Sequence, residues 1–133
     1  MASIFTRIIN GEIPCYKVAE TDKFFAFLDI APVQVGHTLV IPKAEIDYIF
    51  DMPEADYIEL QLFARKIALA QKAVIDCKKV ATTVVGLEVP HVHIHCVPLT
   101  DIPFINFAAE RKQLSAEEMQ NVANQIAEAL AQL

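Results

Sequence analysis

Four histidines occur in this 133-residue chain, and three of them alternate as His91, His93 and His95. Alternate side chains on an extended strand share one face. The three imidazoles would then face one way, with Val92, Ile94 and Cys96 facing the other, into an apolar core. A buried imidazole needs a partner for each ring nitrogen, so three in a row on a dry face make a demanding structural feature. A metal site is a second reading. At about 3.3 Å per residue, His91 and His95 lie roughly 13 Å apart on an ideal strand. All three cannot then meet one ion through bonds of ~2 Å, so a site would combine two of them with His37 or a carboxylate. The third reading is metal-free histidine chemistry. Imidazole attacks phosphorus well and moves protons near neutral pH, and neighbouring rings can divide attack, orientation and leaving-group assistance.

The elements that must position these rings follow from pattern and caps. Ser3 can cap a short helix that runs to Ile8 or Ile9 and stops at Gly11. Tyr16–Val18 and Phe24–Leu28 read as strands across a polar turn at Thr21-Asp22-Lys23, and His37–Ile41 as a third strand ending at Pro42. A long helix is predicted from Pro53 to about Ile75. Asp51 and Glu54 form a capping-box-like start, and Tyr57, Leu60, Ala64, Ile67 and Ala68 form an apolar stripe. Val80–Val85 and Val89–Val97 read as two more strands. Ser115 and Glu118 open a last helix, about residues 115–131, with Met119, Val122, Ala123, Ile126 and Leu130 on its buried side. The hairpin-like links predict an antiparallel sheet of about five strands with helices, an α+β fold.

Length suits a single domain over residues 1–133. A hydrophobic fraction of 54% supplies a core, and 21% charged residues argue against disorder. The net charge of −6 disfavours nucleic-acid binding but leaves room for a small nucleotide in a local pocket. No apolar run reaches the length of a membrane span, and Arg7, Asn10 and Glu12 interrupt any leader-like stretch. Cys15, Cys77 and Cys96 are odd in number and form no CxxC, so a reducing cytoplasm is the expected location.

His91-Val92-His93-Ile94-His95-Cys96-Val97 resembles the signature of the histidine triad (HIT) family, three histidines alternating with apolar residues. Upstream, Phe27-Leu28-Asp29-Ile30 with Pro32, and Gly36-His37 through Pro42-Lys43, resemble the family's other blocks in order and spacing. So does the opening Ser3-Ile4-Phe5 with Gly11-Glu12-Ile13-Pro14. The likeness covers about residues 3–100 and is closest in kind to the histidine triad nucleotide-binding branch.

The resemblance implies a HIT-like fold, a homodimer, and hydrolysis or transfer at the α-phosphorus of a nucleoside phosphoramidate or nucleotide conjugate. It implies His93 as nucleophile through a covalent nucleotidyl-histidine. His91 and His95 would orient the phosphate, tune the nucleophile and assist the leaving group, with His37 near the phosphate. Asp29 would accept hydrogen bonds from the ribose, and Ile13, Phe27 and Ile30 would wall a purine base. No cofactor and no metal are implied, since Ser3 and Thr6 stand where zinc-carrying members have cysteines. The chain departs from the pattern at Leu87 and Glu88, where Gln and a small hydroxyl residue are common, and at Leu99, where Arg is common. A carboxylate at Glu88 would repel phosphate if it faced it. Two alternatives to a phosphoramidase stand beside it: a dinucleoside polyphosphate hydrolase, and a nucleotide-binding scaffold with little turnover.

Overall fold

Phe24-Phe25-Ala26-Phe27-Leu28 is apolar at every position, the pattern of a strand covered on both faces. All five residues are buried in the computed structural model, which describes residues 2–133. This strand, β2, lies inside a sheet whose members are β1 (Lys17–Glu20), β2 (Phe24–Leu28), β3 (Thr38–Pro42), β4 (Lys79–Thr83) and β5 (Ile94–Leu99). Their spatial order is β1-β2-β3-β5-β4, and every neighbouring pair is antiparallel. The helices are α1 (Ile4–Ile9), α2 (Glu54–Val74) and α3 (Ala116–Ala131), with a short 3-10 turn at Ile49–Asp51. The fold is α+β with a five-stranded antiparallel sheet, as the pattern predicts.

The sheet separates two apolar clusters. Phe24, Ala26 and Leu28 join Val92, Ile94 and Cys96 under Leu60, Phe63 and Ile67 of α2 and Met119, Ala123 and Ile126 of α3. Phe25 and Phe27 turn to the other face, where they meet Phe5 of α1, Leu39 and Ile41. The second cluster is the smaller, and the chemistry-bearing residues gather on its face of the sheet.

Gln71 ties α2 to the sheet from within the core. Its Nε2 donates to the carbonyls of Gly36 (2.8 Å) and Cys96 (2.9 Å) and lies 3.2 Å from the Thr38 hydroxyl. Thr38 pairs with Cys96 across the β3–β5 ladder, so this amide anchors α2 where the two strands meet. Gly36 precedes that point at φ +88°, and a Cβ there would lie 3.1 Å from Ile75. Only glycine makes that turn without strain.

Two sequence expectations change. The strand predicted from Val89 begins at Ile94, so His91 and His93 precede β5. Pro90 has no N–H for a ladder, and the His91 N–H closes a tight turn onto the Val89 carbonyl at 2.8 Å. The Val92 N–H then bonds to Ile46 in a loop, at 2.7 Å, rather than to a strand. The alternation survives this irregularity, since Val92 still enters the main core. The second change is at the start of α2. Its N-cap is Pro53 with no side-chain hydrogen bond, and Asp51 belongs to the 3-10 turn.

α3 does carry its capping box. Ser115 Oγ accepts from Glu118 N–H at 3.1 Å, and Glu118 Oε1 accepts from Ser115 N–H at 2.9 Å. Ser115→Ala is therefore expected to cost ~1 kcal/mol in denaturant unfolding, whereas Asp51→Ala should be close to neutral. Equal losses for the two would contradict this difference in capping.

Candidate functional site

One cross-sheet row sets the floor of the site. Phe27 pairs with Leu39, Leu39 with His95, and His95 with Thr83. His95 thus stands on the face of Phe27 and Leu39, opposite the main core. Above this row opens a cavity of about 500 Å³. His93, His95, Asp29, Phe27, Ile30, Ile13 and Glu88 all line it. His91 and His37 do not. Both are buried to 0% exposure and bond to the backs of the two lining histidines.

The partners of each ring determine where its proton sits. His93 Nδ1 lies 2.7 Å from the carbonyl of His91. A carbonyl only accepts, so Nδ1 carries the proton and Nε2 holds the free lone pair. The Val33 N–H donates to His37 Nδ1 at 3.2 Å, which leaves the His37 proton on Nε2. That proton points to His95 Nδ1 at 2.9 Å. His95 must then carry its own proton on Nε2. The two rings facing the cavity are therefore complementary: His93 offers a bare nitrogen, and His95 an N–H donor. Their ring centres lie 4.9 Å apart.

Burial keeps the supporting rings neutral. His37 is pushed down from 6.5 to about 4, chiefly by desolvation, with Arg111 and His93 adding repulsion. His95 is pushed down to about 3, again mainly by desolvation, then by His37 and His93. Asp29 Oδ2 is 3.7 Å from His37 Nε2, but His37 is uncharged at neutral pH and its proton goes to the nearer His95. Asp29 Oδ1 accepts from the Ala31 N–H at 2.9 Å, which fixes the carboxylate at the end of β2. Burial also depresses His91, against the opposing pull of the Pro42 carbonyl and Glu45. The Cys96 thiol is pushed up to about 12 by burial and is no nucleophile near neutrality.

Asp29, His37 and His95 are the one group among the described residues with the spacing for a metal ion. The donor set does not fit. His37 Nδ1 already accepts from Val33, so its Nε2 would have to give up its only proton to bind an ion. Ser3 and Thr6 offer no thiolate either. Their hydroxyls bond to His91 and Glu45 instead, at 2.7 Å each.

Sequence reasoning missed three groups at this site. Phe5 of α1 meets the His93 ring edge-on at 4.9 Å. Phe107 packs on His95 at 4.7 Å, and Arg111 beside it also lines the cavity. Arg111 donates to the Ala31 carbonyl at 2.8 Å and to the Phe107 carbonyl at 3.3 Å. Residues 100–114 have no periodic pattern, and only the helical spacing of Phe107 and Arg111 hints that the two act together. Leu87, at 90% exposure, and Glu88 sit on the rim formed by the segment between β4 and β5.

The depressed histidines link the site to stability. A ring whose folded pKa lies below its unfolded value binds fewer protons when folded. Its contribution is full above about pH 6.5 and is lost as pH falls towards about 4 for His37. The melting temperature should therefore fall from pH 6.5 to 5, and His37→Gln should make that fall shallower. An unchanged slope in the variant would contradict a neutral buried His37.

Residues 10–102 match the family model described as the HIT domain. An uncharacterized HIT-like protein of Borreliella burgdorferi is 35% identical over 131 residues, covering 92% of this chain and 94% of that protein. An adenosine 5'-monophosphoramidase of Saccharomyces cerevisiae is 38% identical over 103 residues, 75% of this chain and 64% of the yeast protein. The crystal structure of a hypothetical histidine triad nucleotide-binding protein from Sulfolobus tokodaii superposes with a TM-score of 0.85 at 30% identity, covering 97% of this chain and 92% of that one.

Proposed function

The chain belongs to the HIT family, and from that premise we propose that it is a nucleotide hydrolase or transferase working at the α-phosphorus of a nucleoside phosphoramidate or nucleotide conjugate. The observation that carries the reading is the bare Nε2 of His93 beside the N–H of His95 on one cavity wall. In the neutral ring the Nε2 lone pair is free, and the Nδ1–H contact to the backbone aims it. Attack forms a bond from His93 Nε2 to phosphorus as the bond to the leaving group breaks. The equatorial oxygens gain negative charge in that step, and the His95 N–H can donate to one of them. Water then attacks phosphorus, the P–N bond to His93 breaks to return the neutral imidazole, and the nucleoside monophosphate leaves; the proton that water gives up balances the one that the leaving group takes from solvent in the first step.

His95 acts first as a hydrogen-bond donor in this scheme. A ring held neutral down to about pH 3 has no imidazolium to offer at neutrality. A bound phosphate anion beside it would raise that value and draw it towards acid catalysis. Asp29 is suited to the ribose, because its carboxylate is fixed at the cavity edge. Phe27 is buried below, and Ile13 and Ile30 supply apolar wall for a purine, with Ile30 78% exposed. Arg111 favours a second reading, since a guanidinium at the cavity suits an anionic leaving group such as that of a dinucleoside polyphosphate. Pairing into a homodimer belongs to the same proposal, supported by exposed Ile58, Leu62 and Leu69 along α2. Among the described residues no helix is long and apolar enough to cross a membrane.

The reading is tested by following AMP release from adenosine 5'-phosphoramidate and from a diadenosine polyphosphate. His93→Ala should abolish release from both while AMP still binds within a few-fold, because Ile13, Phe27, Asp29 and Ile30 of the cavity lining are unchanged. Asp29→Ala should weaken AMP binding by about 1–3 kcal/mol and narrow the preference over the dideoxy analogue. Near-normal turnover by His93→Ala would exclude the mechanism. Unaltered sugar discrimination by Asp29→Ala would remove its ribose role.

A further inference from the structure

Behind the triad, α1 and the loop after β3 meet in a knot of hydrogen bonds that never reaches the cavity. Glu45 accepts from the Ser3 N–H and from the Thr6 hydroxyl, the latter at 2.7 Å. Ser3 Oγ accepts from the Thr6 N–H at 3.1 Å. Its own single proton has two possible acceptors, Thr6 Oγ1 at 3.3 Å and His91 Nδ1 at 2.7 Å. The shorter contact assigns it to His91. His91 then carries its proton on Nε2, which donates to the Pro42 carbonyl at 2.8 Å.

Both nitrogens of a fully buried ring are thus fixed, and the ring can neither flip nor take a second proton without breaking a bond. The same residue's carbonyl is the acceptor that holds His93 Nδ1–H. The segment is braced a second time from the same loop, since the Val92 N–H bonds to Ile46, next to Glu45. Phe5, two residues beyond Ser3, contacts both rings edge-on, at 5.7 Å for His91 and 4.9 Å for His93.

We propose that Ser3, anchored by Glu45, is a positioning residue for the nucleophile: its hydroxyl fixes His91, and through the His91 carbonyl it fixes which nitrogen of His93 faces the substrate. This rests on the reading of His93 as the nucleophile. Glu45 sets the location of Ser3 and makes no hydrogen bond to the rings. The expected signature is a loss of reaction rate without a matching loss of nucleotide affinity.

The test combines ring-nitrogen NMR of histidine-labelled protein with steady-state kinetics on adenosine 5'-phosphoramidate. In wild type, His91 should show its proton on Nε2 and His93 its proton on Nδ1. In Ser3→Ala, both rings should lose that single tautomer, and kcat should fall roughly tenfold or more with KM within about twofold. Ser3→Thr keeps a hydroxyl and should restore both readouts. Glu45→Gln, a weaker acceptor that spares the α1 cap, should shift both in the same direction by less, which guards against a Ser3→Ala protein that folds poorly. Wild-type kcat and an intact His93 tautomer in Ser3→Ala or in Glu45→Gln would overturn the assignment. If wild type has no turnover, the phosphoramidase reading falls on its own, and the spectra still decide the positioning claim.

Discussion

The site depends on one short contact, from His93 Nδ1–H to the carbonyl two residues before it. A neutral imidazole has one proton, and this bond spends it on the side away from the substrate. The opposite nitrogen is left as a base and nucleophile in the resting protein, with no general base needed to prepare it. Much of the surrounding fold keeps that carbonyl and that ring still. Pro90 and the turn onto Val89 interrupt the strand, and the Val92 bond to Ile46 ties the interrupted segment to the loop after β3. The apolar side of the same segment is clamped by Val92, Ile94 and Cys96 in the main core.

A second chain of bonds runs in parallel from Val33 through His37 to His95 and ends at the cavity as an N–H. Both chains begin at a backbone group whose role as donor or acceptor is fixed. Each therefore delivers a defined tautomer to the cavity, a bare nitrogen from one and a donor from the other. Burial makes this robust, because charging His37 or His95 in a dry interior is costly. The arrangement suits a reaction in which negative charge grows on phosphate oxygens beside an attacking nitrogen. It suits a metal poorly, since the lone pairs an ion would need are already taken.

The sheet, the long helices and the face shared by the histidines were legible because each rests on a short-range pattern. The all-apolar Phe24–Leu28, the Ser115–Glu118 box and the alternation around His93 are decided within a few residues. The start of β5 was not legible, because it depends on Ile46, nearly fifty residues away, taking the bond that a strand partner would have taken. The false box at Asp51 has the right residues, yet the chain enters α2 through Pro53 in another conformation. Ser3 was legible as a helix cap, but its hydrogen bond to His91 crosses 88 positions of sequence. Phe107 and Arg111 reach the cavity from an irregular segment tied down by Arg111 to Ala31 and by Lys112 to Pro32, contacts with no local signature.

The most direct measurement of the central claim is rapid quench of the protein with adenosine 5'-phosphoramidate, followed by intact-mass analysis and peptide mapping. The tautomer assignment predicts a transient adenylyl adduct on His93, attached at Nε2, and none in His93→Ala. An adduct on His95 or His91, attachment at Nδ1, or turnover with no adduct on any time scale of the reaction would contradict it.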